Sequence, residues 1–167
     1  MKTYKTGFYG GKFLPFHQGH KYCISVAARQ CELLVVVFFF NSEEENKISA
    51  AEVLLDESVL GKETRADAIR HECSKYDNVE YAELDCAVMH RNCKANNISE
   101  WDAETPYVLD TVGKFDAVYS SEPGYDEYFS RAYPFARHII IDAPRVHVPI
   151  SGTRLREMTY DDAEKWL

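Results

Sequence analysis

The chain has 167 residues, 46% of them apolar and 28% charged, and a net charge of −8. That mix is ordinary for one globular domain, and a chain of this length buries enough surface to need no disulfide or metal staple. The acidic balance excludes a broad nucleic-acid surface but leaves room for a local cluster that binds a small polyanion.

In chain order, "TYKTGFYG" predicts a first strand, rich in Thr and aromatic residues and ending in glycines. Helical spacing follows from about Gly19 to Arg29, then "ELLVVVFFF" predicts a strand covered on both faces. "SEEENK" reads as an acidic, solvated loop, and "TRADAIRHECSKY" as a helix behind a Thr64 N-cap. "NVEYAEL", "FDAVYSS" and "ARHIIID" predict further strands, with "GYDEYFSRAY" as a helix between the last two. "SGTRLREM" and "TYDDAEKWL" predict short C-terminal helices over about 152–167, the second capped by Thr159. Strands alternating with helices predict an α/β fold: a Rossmann-like open parallel sheet with helices on both faces. Ligands of such sheets sit at the carboxyl ends of the strands, where strand order reverses.

The start, "MKTYKTGFYGG", predicts no secretory leader, having no apolar core of sufficient length, and the longest apolar run, "LLVVVFFF", is too short to cross a membrane. Five cysteines without a C-x-x-C pair then predict reduced thiols and a cytoplasmic setting. Cys86, His90 and Cys93 lie close in sequence, but their spacing matches no common zinc pattern.

The chemistry concentrates in "GGKFLPFHQGH". Its glycines miss the G-x-G-x-x-G spacing of a dinucleotide site, and Gly11-Lys12 lacks the hydroxyl that ends a P-loop. Gly10 and Gly11 would let backbone pass close to a ligand. His17 would lie in the loop, with Gly19 and His20 opening a helix whose unpaired N–H groups attract anions. Two readings stand: the histidines cap the helix or pair on a metal, or with Lys12 they form a phosphate pocket. A second cradle, "ISGTRLR", places Ser151, Gly152 and Thr153 at a helix start with Arg156 one turn in; the bland alternative there is an ordinary N-cap.

Together these segments resemble the nucleotidyltransferase superfamily, with its H-x-G-H and I-S-[S/G/A]-T-x-x-R elements. "DAVYSSE" and the Lys12-Phe13 and Pro-Phe-His runs are most similar to nicotinamide mononucleotide adenylyltransferases, of the archaeal type or as the adenylyltransferase domain of bacterial bifunctional NAD-biosynthesis regulators. The expectation is a single nucleotidyltransferase domain over 1–167; 167 residues leave no room for the kinase or repressor domains of the bifunctional relatives, a departure from them. The resemblance implies ATP and the mononucleotide as partners, Mg²⁺ carried with ATP, no protein metal ligands, and no nucleic-acid or membrane partner; a homo-oligomer stays open.

By the same resemblance, His17, His20, Lys12 and Arg156 would be catalytic. Gly10, Gly11, Phe13, Gly19, Ser120, Glu122, Ser151 and Thr153 would bind the nucleotide, and Trp101 and Arg65 the mononucleotide. The segment from Asn41 to Lys62 departs from the family by being longer and acidic. The alternatives are a relative acting on pantetheine phosphate, flavin mononucleotide or a phospho-alcohol with CTP, or a nucleotide-sensing module without turnover.

Overall fold

The computed structural model describes residues 2–45, 47 and 54–167. Among them, five strands form one parallel sheet in the order β3-β2-β1-β4-β5. They are β1 (Tyr4–Gly11), β2 (Cys31–Phe40), β3 (Val79–Asp85), β4 (Ala117–Ser120) and β5 (Arg137–Ile140). The fold is therefore the Rossmann-like α/β sheet that the strand and helix pattern predicts.

Period-two alternation sorts the central strands between two cores. Tyr9, Leu34, Val36 and Phe38 face one side, where α1 (Gln18–Gln30) and α3 (Lys62–Cys73) contribute Ile24, Ala27, Ala66 and Ile69. Phe8, Val35, Val37 and Val118 face the other, against Val108 of α6 (Thr105–Val112) and Phe129 and Ala132 of α7 (Asp126–Ala132). Burial on both faces is why β2 reads as a continuous apolar run. A third cluster gathers Leu55, Ile150, Leu155 and Ala163 around α8 (Gly152–Arg156) and α9 (Tyr160–Ala163).

One boundary and one whole stretch depart from expectation. α3 starts at Lys62 behind Gly61, so Thr64 lies inside the helix and is not its cap. The physical reason is α2 (Glu57–Leu60), which runs almost directly into α3 and leaves Gly61 as the joint. Between β3 and β4 stand α4 (Ala87–Asn96), α5 (Glu100–Ala103) and α6, none of which the sequence reading had placed. Among the described residues, no helix is long and apolar enough to cross a membrane.

The order 3-2-1-4-5 reverses at β1, whose neighbours are β2 and β4. The segment after β1 therefore emerges at the crevice where such sheets bind ligands.

Candidate active site

A cavity of about 890 Å³ opens at the carboxyl ends of the central strands. Its wall includes Gly10, Gly11 and Lys12 after β1, Phe39 and Phe40 of β2, Arg65, Trp101 and Arg156. Gly10 is required here for packing: a Cβ would collide with the Phe39 ring and stand 2.8 Å from that of Phe8. The space on its Cβ side is filled by aromatic side chains, while the residue itself stays at the cavity wall.

His17 is the N-cap of α1 and only 2% exposed. Its Nδ1 accepts from Gly19 N (3.0 Å), while His20 Nδ1 accepts from His17 N (3.2 Å). The pair is a reciprocal capping box built from imidazoles. Gly19 permits it, since a Cβ there would stand 2.7 Å from the His17 ring.

The capping alternative is thus realised, and it has a chemical consequence. Each Nδ1 accepts from a backbone N–H, so each neutral ring carries its proton on Nε2. Neither Nε2 has a hydrogen-bond partner among the described residues, and none of their side-chain N or O atoms is buried without one. Both Nε2–H donors are thus unengaged among the described residues, although neither ring is one of those that line the cavity. Burial pushes the His17 pKa down to about 4, with the Arg145 guanidinium acting in the same direction. Burial, then His17 and Arg145, hold His20 well below the usual histidine value. At neutral pH the pair offers two donors and no charge.

Phe13, expected at the nucleotide, is instead buried against Tyr9, Phe16 and the edge of His20. It backs the imidazole and reaches no ligand space. Lys12 is exposed at the cavity wall. Arg156 donates Nη1 to Leu14 O and Nη2 to Thr153 Oγ1, which ties the C-terminal motif to the opening loop. Ser151 caps α8 by accepting from Arg154 N.

Ser120 is buried at the end of β4, with Oγ 2.6 Å from His138 Nε2; His138 Nδ1 lies 3.0 Å from Asp126 Oδ1. This row has the residue types of a nucleophilic triad, but Ser120 does not line the cavity. It joins β4 to β5 and fixes Glu122 N, which donates to Ser120 Oγ. Glu122 pairs with Arg145 at 2.8 Å.

Arg65, expected at the mononucleotide, is committed to the protein. Nε donates to Leu60 O, Nη1 to Lys12 O and Nη2 to Glu45 Oε2 at 2.6 Å, and the guanidinium lies over Phe38. It therefore holds the backbone of Lys12 in place. The acidic segment is correspondingly more than a solvated loop: Glu45 pairs with Arg65 and Glu44 with His90, and both line the cavity. Residues 46 and 48–53 of that segment lie outside the described residues.

Breaking a buried ion pair from one side costs about 3–5 kcal/mol. Arg65→Ala is therefore expected to destabilise the fold by about 3 kcal/mol, measured by urea unfolding. A loss under about 0.5 kcal/mol, the range of ordinary surface substitutions, would show that the arginine is not structural.

Trp101 stacks on Tyr128 (ring centroids 4.8 Å apart, 15° between planes) and packs near Tyr125 and Phe129, at the cavity wall. Beside it stand Glu100 and Glu104, which the sequence alone does not single out, and His90, which it offers only as a metal candidate. His90 Nδ1 lies 2.8 Å from Glu100 Oε1. Burial raises Glu104 to about 6 despite the hydrogen bond it accepts from the Tyr133 hydroxyl. Cys86, His90 and Cys93 do not converge on a metal: the Cys86 thiol lies against Leu84 O, Cys93 is buried, and His90 is held by carboxylates.

A model of the cytidylyltransferase-like family matches residues 8–158. No curated protein matches the sequence. Among solved structures, a NadR protein in complex with NAD and AMP-PNP aligns with a TM-score of 0.61 at 18% identity, covering 94% of this chain and 43% of that one. A bifunctional NMN adenylyltransferase/ADP ribose pyrophosphatase from Francisella tularensis aligns with a TM-score of 0.61 at 17% identity, covering 95% and 43%. A second structure of such a Francisella tularensis protein, complexed with AMP and a manganese ion, gives 0.52 at 17%, covering 83% and 37%. The chain thus spans about two fifths of the length of these proteins, which share its fold.

Proposed function

The chain belongs to the cytidylyltransferase-like family of nucleotidyltransferases, and within it we propose that this protein joins nicotinamide mononucleotide to ATP, giving NAD and pyrophosphate. The observation that carries the nucleotidyl-transfer chemistry is the imidazole capping box, which leaves two preset Nε2–H donors at the carboxyl end of β1.

A phosphate monoester has a second pKa near 6 and carries about −1.5 to −2 charge at pH 7, so the attacking oxygen needs no general base. In-line attack forms the bond to the α-phosphorus and breaks its bond to the bridging oxygen, which leaves with pyrophosphate. Catalysis is then positioning plus stabilisation of growing oxygen charge. His17 and His20 donate to those oxygens, and Lys12 and Arg156 supply positive charge at the cavity wall. Neutral donors suit this work, because they need not lose a proton as charge develops.

Mg²⁺ would arrive with the nucleotide and offset phosphate charge. Such an ion is held mainly by phosphate oxygens and needs few protein ligands.

The acceptor reading is supported by the wall around Trp101. Glu44, Glu100 and Glu104 beside an indole suit a ring that is both aromatic and cationic, as a pyridinium nucleotide is. Pantetheine phosphate and phospho-alcohols have no aromatic ring to offer Trp101, and a neutral flavin ring gains nothing from the carboxylates.

The test is pyrophosphate release from a matrix of nucleotides and acceptors. Release from ATP only with nicotinamide mononucleotide is expected. Release from CTP with a phospho-alcohol would replace this reading by the cytidylyl one, and nucleotide binding without release under any pairing would favour a sensing module.

A further inference from the structure

The stretch from Ala143 to Val148, within "DAPRVHVPI" between β5 and α8, entered no reading of the sequence. Asp142 and Arg145 both take left-handed backbone conformations, with φ of 51° and 52°, which residues bearing a Cβ seldom adopt. Such conformations persist only where surrounding contacts over-determine them, and they gather at functional sites.

The contacts are identifiable. The Asp142 carboxylate accepts from Val146 N (2.8 Å), His147 N (3.0 Å) and Val148 N (3.0 Å), winding the loop around itself. Arg145 N closes the turn on Asp142 O at 2.8 Å. The His147 ring stacks on Tyr22 of α1, centroids 5.1 Å apart, which pins the loop to the helix that the two histidines open.

This winding brings Arg145 to the histidine turn. Its Nη1 donates to Ile150 O at 2.9 Å, and Ile150 O in turn lies 3.9 Å from the position a Cβ would occupy on Gly19, between His17 and His20. Its Nη2 donates to Glu122 Oε1 at 2.8 Å. Both side chains of that ion pair are solvent-accessible, Arg145 by 32% and Glu122 by 49%. The guanidinium also contributes to the lowered pKa values of both imidazoles, consistent with its proximity.

We infer that Arg145 is a polyphosphate-binding residue of this site, delivered to the histidine turn by the Asp142-wound loop and held by Glu122 until a phosphate oxygen takes that carboxylate's place. The inference rests on the nucleotide reading above. The histidine pair supplies donors but no charge, so a polyphosphate gathered there needs a cation beside it. A guanidinium presents planar, paired N–H groups that match phosphate oxygens. A solvent-accessible carboxylate is a weak competitor for it, because exposed ion pairs contribute little. Glu122 then has a role other than the nucleotide contact that the resemblance implies: it fixes the arginine's direction while the site holds no nucleotide.

Calorimetric titration of the full chain with ATP, and separately with adenosine, tests this. Arg145→Gln is expected to weaken ATP by about 10–100-fold, the range for losing a charged hydrogen bond, and to leave adenosine unchanged. Arg145→Lys should fall between, since it keeps the charge and loses the fork. Glu122→Gln should tighten ATP several-fold by removing the competitor. Unchanged ATP affinity in Arg145→Gln would overturn the inference. So would equal losses for ATP and adenosine, which would make the arginine a support of the loop, and so would weaker ATP binding by Glu122→Gln. A wild-type chain that binds neither ligand would remove the nucleotide reading and this inference with it.

Discussion

His20→Ala is expected to lower kcat by about 10²–10³-fold, the usual loss for one donor aimed at developing oxygen charge, with a modest change in KM for ATP. The imidazole has two duties here. Its Nδ1 caps His17 N, and its Nε2–H faces away from that bond. Alanine removes both, and the cap alone is worth about 1 kcal/mol of stability. His20→Gln separates them, because glutamine at this helix position can still accept from the N-cap N–H. Glutamine should therefore restore the melting temperature and not the rate. A His20→Ala enzyme with nearly wild-type kcat would remove the opening motif from the chemistry.

The opposite kinetic signature is expected at Trp101, on the cavity wall. Trp101→Ala should raise KM for the mononucleotide about 5–100-fold, the range for losing one ring stack of about 1–3 kcal/mol, with kcat and KM for ATP nearly unchanged. Contacts made equally in ground and transition states affect KM alone. The indole already stacks on Tyr128, so its orientation is set before substrate arrives. Trp101→Phe should retain part of the affinity. Loss of ATP affinity, or unfolding of the alanine variant, would make Trp101 a core or nucleotide-side residue.

The parallel sheet was legible because its central strands are buried on both faces and so appear as unbroken apolar runs, "ELLVVVFFF" above all. The first helix was legible from its spacing, and its boundaries at Gln18 and Gln30 fall within one residue of expectation. The stretch from Ala87 to Val112 was not read as helical, although it carries start and stop signals. Asn97 ends α4 in a left-handed conformation, Pro106 sits in the first turn of α6, and Gly113 follows that helix. These helices are short and bury few residues each, so few apolar positions mark their period.

The site was legible in part. Lys12 and Arg156 do reach one cavity, and the two histidines do meet at the start of α1. What spacing could not reveal was which nitrogen of each ring is engaged, or that Phe13 and Arg65 spend their side chains on the protein. Arg145 was missed because its approach depends on two left-handed residues and a carboxylate-wound loop. Nothing in the composition of "DAPRVHVPI" signals that geometry.

The proposed chemistry turns on the protonation of one pair of rings. Nitrogen-15 NMR of the histidine side chains at pH 7 should find His17 and His20 neutral, each with its proton on Nε2 and an unprotonated Nδ1. His17 should begin to titrate only as the pH approaches about 4, and addition of ATP should shift both Nε2 resonances while leaving both Nδ1 atoms unprotonated. Titration near the ordinary histidine value of about 6.5, or a proton on either Nδ1, would contradict the claim that the capping box presents two neutral donors to phosphate.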